Sequence, residues 1–203
     1  MVKSNWWGRV FYPSFVWSVK EEEKSIYLTF DDGPHETATP FVLDTLKQYN
    51  AKATFFCIGK NVVECRDVYE RVLYEGHTVG NHTYNHLKGW KTKNDLYIND
   101  VKEAAAVIDS NLFRPPYGRV KRFQAHLLQS SYKIIMWSVL SGDFDIELSP
   151  QSCWENVLFN TKAGDIVVFH DSAKAFERLK YALPKVLEHF SKEGYAFKAI
   201  LQS

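Results

Sequence analysis

Short runs rich in β-branched and aromatic residues alternate along the chain with longer stretches whose apolar residues recur at helical spacing. The runs are SIYLTF, KATFFCIG, HTVGNH, LFRPPYG, YKIIMWSV, DIVVFHD and YAFKAIL. Between them lie TPFVLDTLKQYN, VVECRDVYERVLYEG, NDLYINDVKEAAAVIDS, RFQAHLLQSS, SPQSCWENVLFNTK and FERLKYALPKVLEHFSKEG. A strand, a helix and a second strand pack as a parallel pair with a right-handed crossover. Several runs are apolar nearly throughout, as strands covered on both faces are. The repeated pattern predicts an α/β fold: a distorted (β/α) barrel of about seven parallel strands with helices outside. Thr39 before Pro40 is expected to cap a helix, and Gly76 and Gly194 to follow helix ends. A chain of 203 residues, 45% hydrophobic, supports one buried core, expected over 25–203 with the N-terminal segment 1–24 packed on it.

Charge narrows the partners. Lys and Arg total 25 against 24 acidic residues, so the net charge of +1 gives no global attraction to nucleic acid, and no nucleic-acid partner is expected. Three cysteines, Cys57, Cys65 and Cys153, contain no CxxC pair, which argues against a disulfide framework and a thiolate metal site; Cys57, inside ATFFCIG, is expected buried and inert. The first segment, MVKSNWWGRVFYPSFVWSVK, has no continuous apolar region or small-residue cleavage site of a secretory signal. No run approaches the length of a spanning helix. As it stands the sequence is expected to be soluble and cytoplasmic, with attachment of its aromatic, mildly cationic first segment to a membrane surface or the envelope as the alternative. Oligomeric state is left open.

The polar residues that carry chemistry follow different strand runs: Asp31, Asp32, His82, His86, Arg114, Asp143 and His170. In a parallel barrel the carboxyl ends of the strands converge on one face, which makes neighbours of residues distant in sequence. Asp31 and Asp32 stand side by side at the end of SIYLTF, where their repulsion is costly unless a cation sits between them. His82 and His86, four residues apart, share a face if NHTYNH makes a helical turn. Two imidazoles and one carboxylate make a three-ligand site with a position open for water. One Asp then ligates the metal and the other is free to act as base. Zn2+ is the default for this set, with Co2+, Ni2+ or Mn2+ as substitutes. The same ligands would suit a non-haem iron oxygenase, but that chemistry has no need of the base and acid alongside.

TFDDGP, HTYNH, RPPYG and IVVFHD occur in the order and approximate separation of motifs of the NodB-homology polysaccharide deacetylases, carbohydrate esterase family 4, and the chain resembles that family from about Ile26 to its C-terminus. The resemblance implies that Asp32, His82 and His86 hold the metal and that Asp31 deprotonates the attacking water, with Arg114 as its partner. It implies that His170 is the general acid and Asp143 the residue that orients it. Within RPPYG the prolines stiffen the backbone and Gly118 permits close approach, so the Tyr117 amide is expected to face the developing oxyanion. The fourth motif departs from the family: LSGDF places Leu140 and Phe144 where an Asp and a Trp are usual, which bears on the substrate groove while leaving Asp143 in place. Trp137 is expected in the core, His77 against backbone near the metal turn, and His126 and His189 in solvent; His35 is read as peripheral to the site. The implied activity is metal-dependent hydrolysis of N-acetyl groups on an amino-sugar polymer or oligosaccharide, releasing acetate. The alternatives are an O-acetyl esterase and a non-catalytic carbohydrate-binding relative.

Overall fold

In the computed structural model, seven strands hydrogen-bond edge to edge, every pair parallel, in the order β5-β4-β3-β2-β1-β7-β6. They are β1 Ser25–Asp31, β2 Thr54–Cys57, β3 Thr78–Asn81, β4 Leu112–Phe113, β5 Lys133–Ile134, β6 Val139–Leu140 and β7 Ile166–His170; β8, Ala196–Phe197, pairs with the start of β1 outside this path. Helices α1 Trp6–Phe11, α2 Ala38–Gln48, α3 Gly59–Glu64, α4 Arg66–Tyr74, α5 Asn94–Ala105, α6 Arg122–Leu128, α7 Pro150–Leu158 and α8 Phe176–Lys192 connect and cover the strands. Residues 2, 6–20 and 23–202 are described, Trp6, Trp7 and Arg9 by backbone alone; the rest of the expected segment 1–24, and residue 203, lie outside them.

The curled sheet matches the expected distorted barrel, and the period-two alternation of β1 shows how it is packed. Ile26, Leu28 and Phe30 join Val42, Leu43, Leu183 and Leu187 in the layer between sheet and helices. Tyr27 faces the inside with Phe56, Leu112, Ile135 and Ile166. β5 and β6 do not pair with each other. The N-terminal strap runs there instead: Val16 N donates to Ile134 O at 2.9 Å, Met136 N to Val16 O at 2.7 Å, and Val19 N to Gly164 O at 2.8 Å.

Several local expectations are corrected. The run YKIIMWSV is two short strands, β5 and β6, because Ile135 and Met136 turn to the strap. The stretch VVECRDVYERVLYEG is two helices, broken at Cys65, whose ψ of 49° is not helical. Helix α2 begins at Ala38, ahead of the expected Thr39 cap, and the His35 ring accepts from Thr37 N at 3.1 Å and Ala38 N at 3.2 Å in its place. Gly76 and Gly194 do follow α4 and α8, at φ 76° and 79°, the left-handed conformation that ends helices. His77 accepts from Ala53 N at 3.2 Å, a backbone partner as expected, but it precedes β3 and so sits at the end of the sheet opposite the metal turn. His126 is exposed; His189 is half-buried against Trp154 rather than solvated. Cys57 and Cys153 are buried, and all three cysteines are free.

Candidate active site

The parallel register finishes the strands level. Asp31 pairs with Phe56 on one side and His170 on the other, Cys57 with Asn81, and Asn81 with Phe113. Asp32, His82 and Arg114 are the next residues after three of those positions, so the pairing itself delivers them to one rim. A groove of about 690 Å3 opens there, and Asp31, Asp32, His82, His86, Tyr117 and His170 all line it. Arg114 and Asp143 are fully buried beside Asp31 and His170.

Asp32, His82 and His86 each bring a ligand atom to within 4.8 Å of the others. Asp32 Oδ1 is 3.2 Å from His86 Nε2 and 3.7 Å from His82 Nε2. His82 Nδ1 lies 2.7 Å from the Arg114 carbonyl oxygen, which can only accept, so Nδ1 carries the proton and Nε2 offers its lone pair. Burial holds the His82 pKa down at about 4 against the pull of Asp31, leaving the ring neutral, the form that binds a cation. Burial pushes the Asp32 carboxyl up, but the His86 hydrogen bond and the charge of His170 outweigh it and hold it below the usual carboxylate range. This donor set fits a divalent cation with a position left open.

The two imidazoles do not converge on a helical turn. Residues 82–88 are irregular, with Thr83 at φ 67° and His86 at φ 54°. Asp100 of α5 makes that conformation possible: its Oδ2 accepts from Tyr84 N at 2.9 Å and Asn85 N at 3.0 Å, and its Oδ1 from Asn85 Nδ2 at 2.7 Å. Asn81 Oδ1 adds a bond from Thr83 N at 2.8 Å. Asp100 escapes a motif reading, although a carboxylate between Tyr97, Val101 and Ala104 on the buried face of α5 is a signal in the sequence.

Arg114 satisfies its guanidinium with groups that seat Asp31. Nη1 donates to Asp31 Oδ1 at 2.6 Å and Thr29 Oγ1 at 2.8 Å, Nη2 to Met136 O at 2.8 Å and Nε to Ile135 O at 3.2 Å. Phe56 covers the cation at 4.1 Å from its ring centroid. Across the groove, Asp143 Oδ1 meets His170 Nδ1 at 2.8 Å and Oδ2 accepts the His170 backbone N–H at 2.7 Å. Burial lowers the His170 pKa, but the charge and hydrogen bond of Asp143, helped by Asp32 and Asp31, raise it to about 9. Arg178 of α8 in turn donates Nε to the Asp143 carbonyl at 2.6 Å.

Asp171, one residue past His170, ties the two strand ends together. It accepts from Gly33 N at 3.0 Å and from Thr39 Oγ1 at 2.5 Å. A Cβ on Gly33 would lie 2.0 Å from Asp171 Oδ2, so only glycine permits this approach. Burial pushes Asp171 up to about 8 while the Thr39 bond pulls the other way. Asn61 Nδ2 completes the turn, donating to Asp32 O at 2.7 Å.

Tyr117, at φ 60°, is exposed, its ring 4.7 Å from that of His86 and covered by Lys88 Nζ at 4.5 Å. Gly118 is left-handed as well, and a Cβ there would meet the Trp137 ring at 2.5 Å. Trp137 therefore lines the groove as well as packing on the core, where the sequence favoured the core over the groove. Leu140 and Phe144 line the same groove, and Phe144 meets the His170 ring edge-on at 5.2 Å.

A family model described as polysaccharide deacetylase matches residues 18–132. The chain belongs to that family. A peptidoglycan-N-acetylglucosamine deacetylase of Bacillus cereus is 37% identical over 191 residues, covering 91% of this chain and 90% of that protein. One of Listeria monocytogenes is 37% identical over 183 residues, 87% of this chain but 38% of that longer protein. Among solved structures, a peptidoglycan N-acetylglucosamine deacetylase superposes with a TM-score of 0.89 at 29% identity, over 97% of this chain and 95% of that one. A family pseudoenzyme from Bacillus anthracis shares the fold, with a TM-score of 0.79 at 23% identity over 93% of this chain and 68% of that one, so turnover has to be read from the site. Deacetylases of this family are metal-dependent, the relatives named above are N-acetylglucosamine deacetylases, and the described residues carry a candidate group to hold the metal.

Proposed function

We propose that this chain removes the N-acetyl group from N-acetylglucosamine residues of a peptidoglycan-type glycan, with zinc held by Asp32, His82 and His86. The observation that carries this reading is the meeting of three elements in one groove: the metal-binding group, an arginine-paired Asp31 and an aspartate-paired His170. The names of the relatives supply the sugar. A divalent cation at this site supplies Lewis acidity, lowering the pKa of water and polarising a carbonyl oxygen.

The residues divide the proton transfers between them. Asp31, oriented by Arg114, takes a proton from water as the water oxygen bonds to the acetyl carbon. The backbone amide of Tyr117 donates toward the oxyanion. His170, protonated at neutral pH because Asp143 raises its pKa to about 9, gives its proton to the sugar nitrogen as the C–N bond breaks. Acetate and a free amine are the products, and Asp31 gives up its proton to solvent while His170 regains one from it. Trp137, Leu140 and Phe144 form the apolar wall against which a sugar ring stacks. The test is acetate release from a panel of N-acetylated and O-acetylated glycans by zinc-loaded protein beside Asp31→Asn. Release from N-acetylated peptidoglycan fragments by the parent alone supports the reading; a preference for O-acetyl substrates overturns it.

A further inference from the structure

Around the outer face of α6 the surface is apolar and cationic at once. Val10 and Phe11 of α1, Trp90 and Phe123 are each more than half exposed, and Leu127 is 42% exposed. Cations stand directly over these rings: the Arg122 guanidinium is 5.8 Å from the centroid of Phe11 and that of Arg119 is 4.9 Å from Trp90. Trp90 Nε1 donates to Val120 O at 3.0 Å and Lys121 Nζ to Thr92 O at 2.7 Å, so the residues leading into α5 and into α6 form one continuous surface. A shallow hollow between the two helices adds Lys93 and Ile98 to Lys121, Phe123 and Leu127, and Asp95 is its one acidic lining residue. Among the described residues, Lys93, Arg119, Lys121 and Arg122 form no ion pair.

Grouped exposed rings mark a docking surface rather than ordinary solvent-facing structure. Uncompensated cations around them call for an anionic partner. The surface is broad and shallow, unlike a groove that would grip a peptide, and a neutral glycan would leave the cations unanswered. Aromatic and aliphatic side chains at headgroup depth with a rim of Lys and Arg match an anionic bilayer. We propose that this face docks the protein on an anionic lipid surface, seating Phe11, Trp90, Phe123 and Leu127 at the headgroup boundary and the four cations on lipid phosphates. Arg119 also lines the catalytic groove, so docking holds the groove mouth beside the lipid, within reach of a glycan borne close to the membrane.

Flotation of the full chain with phosphatidylcholine vesicles, with and without phosphatidylglycerol, tests this. The parent is expected to float with the anionic vesicles and to be released by high salt. An Arg122→Gln/Phe123→Ser double variant is expected to bind them about ten-fold less, since each basic residue and each inserted ring contributes to partitioning. Its acetate release from a soluble oligosaccharide should be unchanged, and Lys47→Gln on α2 should float as the parent does. A parent that ignores anionic vesicles, or a double variant that floats equally well, overturns the proposal. So does binding to peptidoglycan sacculi alone that the double variant loses, which would assign the face to a polymer.

Discussion

Arg114 Nη1 donates to Asp31 Oδ1 at 2.6 Å with the guanidinium fully buried, so neither partner can be removed without stranding the other's charge. Breaking a buried pair from one side costs about 3–5 kcal/mol. Arg114→Met is therefore expected to lower the melting temperature by roughly 6–20 °C for a chain of this size and to abolish acetate release. Thermal unfolding followed by circular dichroism reads the first effect. An Arg114→Met protein as stable as the parent would show that the pair does not hold the strand ends.

Asp31 and Asp32 are adjacent yet have separate surroundings, and substitution should separate their roles. Asp31→Asn is expected to keep a full complement of zinc and lose about 10²–10⁴-fold in kcat. His82→Gln is expected to lose the zinc itself, because one of three ligand donors is gone. Zinc content by mass spectrometry after dialysis distinguishes the two; loss of metal from Asp31→Asn would reverse the assignment.

The readable part of this molecule is what burial and close approach force into the sequence. Strands β1, β2 and β7, covered on both faces, have to be apolar, and their polar exits therefore stand out. The residues that shape the loops are harder to see. Asp100 positions His86 from a helix whose contact with the 82–88 loop no spacing rule reveals. The HTYNH spacing suggests a helical turn, yet the turn is built from two left-handed residues that Asp100 and Asn81 hold in place. Trp137 reads as core because it ends an apolar run, and only the tertiary position of Gly118 brings its ring to the groove.

His170 sets a pH signature. Its folded pKa, about 9, lies above the ordinary histidine value of 6.5, so its contribution to stability is complete below about pH 6.5 and is lost as pH rises toward 9. In chelator-treated protein the part of the loss due to His170 should be about 3 kcal/mol across that window, and Asp143→Asn should shrink the slope to what Asp171, itself raised to about 8, contributes. Denaturant unfolding at a series of pH values measures it. Equal slopes in the two proteins would mean that Asp143 does not charge the ring.

Gly33 and Asp171 are in contact too close for a methyl group. Gly33→Ala puts its Cβ 2.0 Å from Asp171 Oδ2, so the turn carrying Asp32 must move. The expected cost is about 1–3 kcal/mol of stability together with weakened zinc binding, measured by competition with a chromogenic chelator. Unchanged zinc affinity would show that the turn absorbs the methyl without disturbing the metal-binding group.

The strap of residues 16–19 bears on how the molecule folds. Val16 exchanges backbone bonds with Ile134 and Met136, and the carbonyls of Ile135 and Met136 hold Arg114. Ile134 lies 118 residues along the chain from Val16, so this contact closes a long loop. Such a distant contact forms slowly, so the strap braces the segment whose carbonyls hold Arg114 only late in folding. A chain whose strap has not docked would thus hold Asp31 beside a less firmly braced Arg114, and the order of this rim becomes a property of the completed fold.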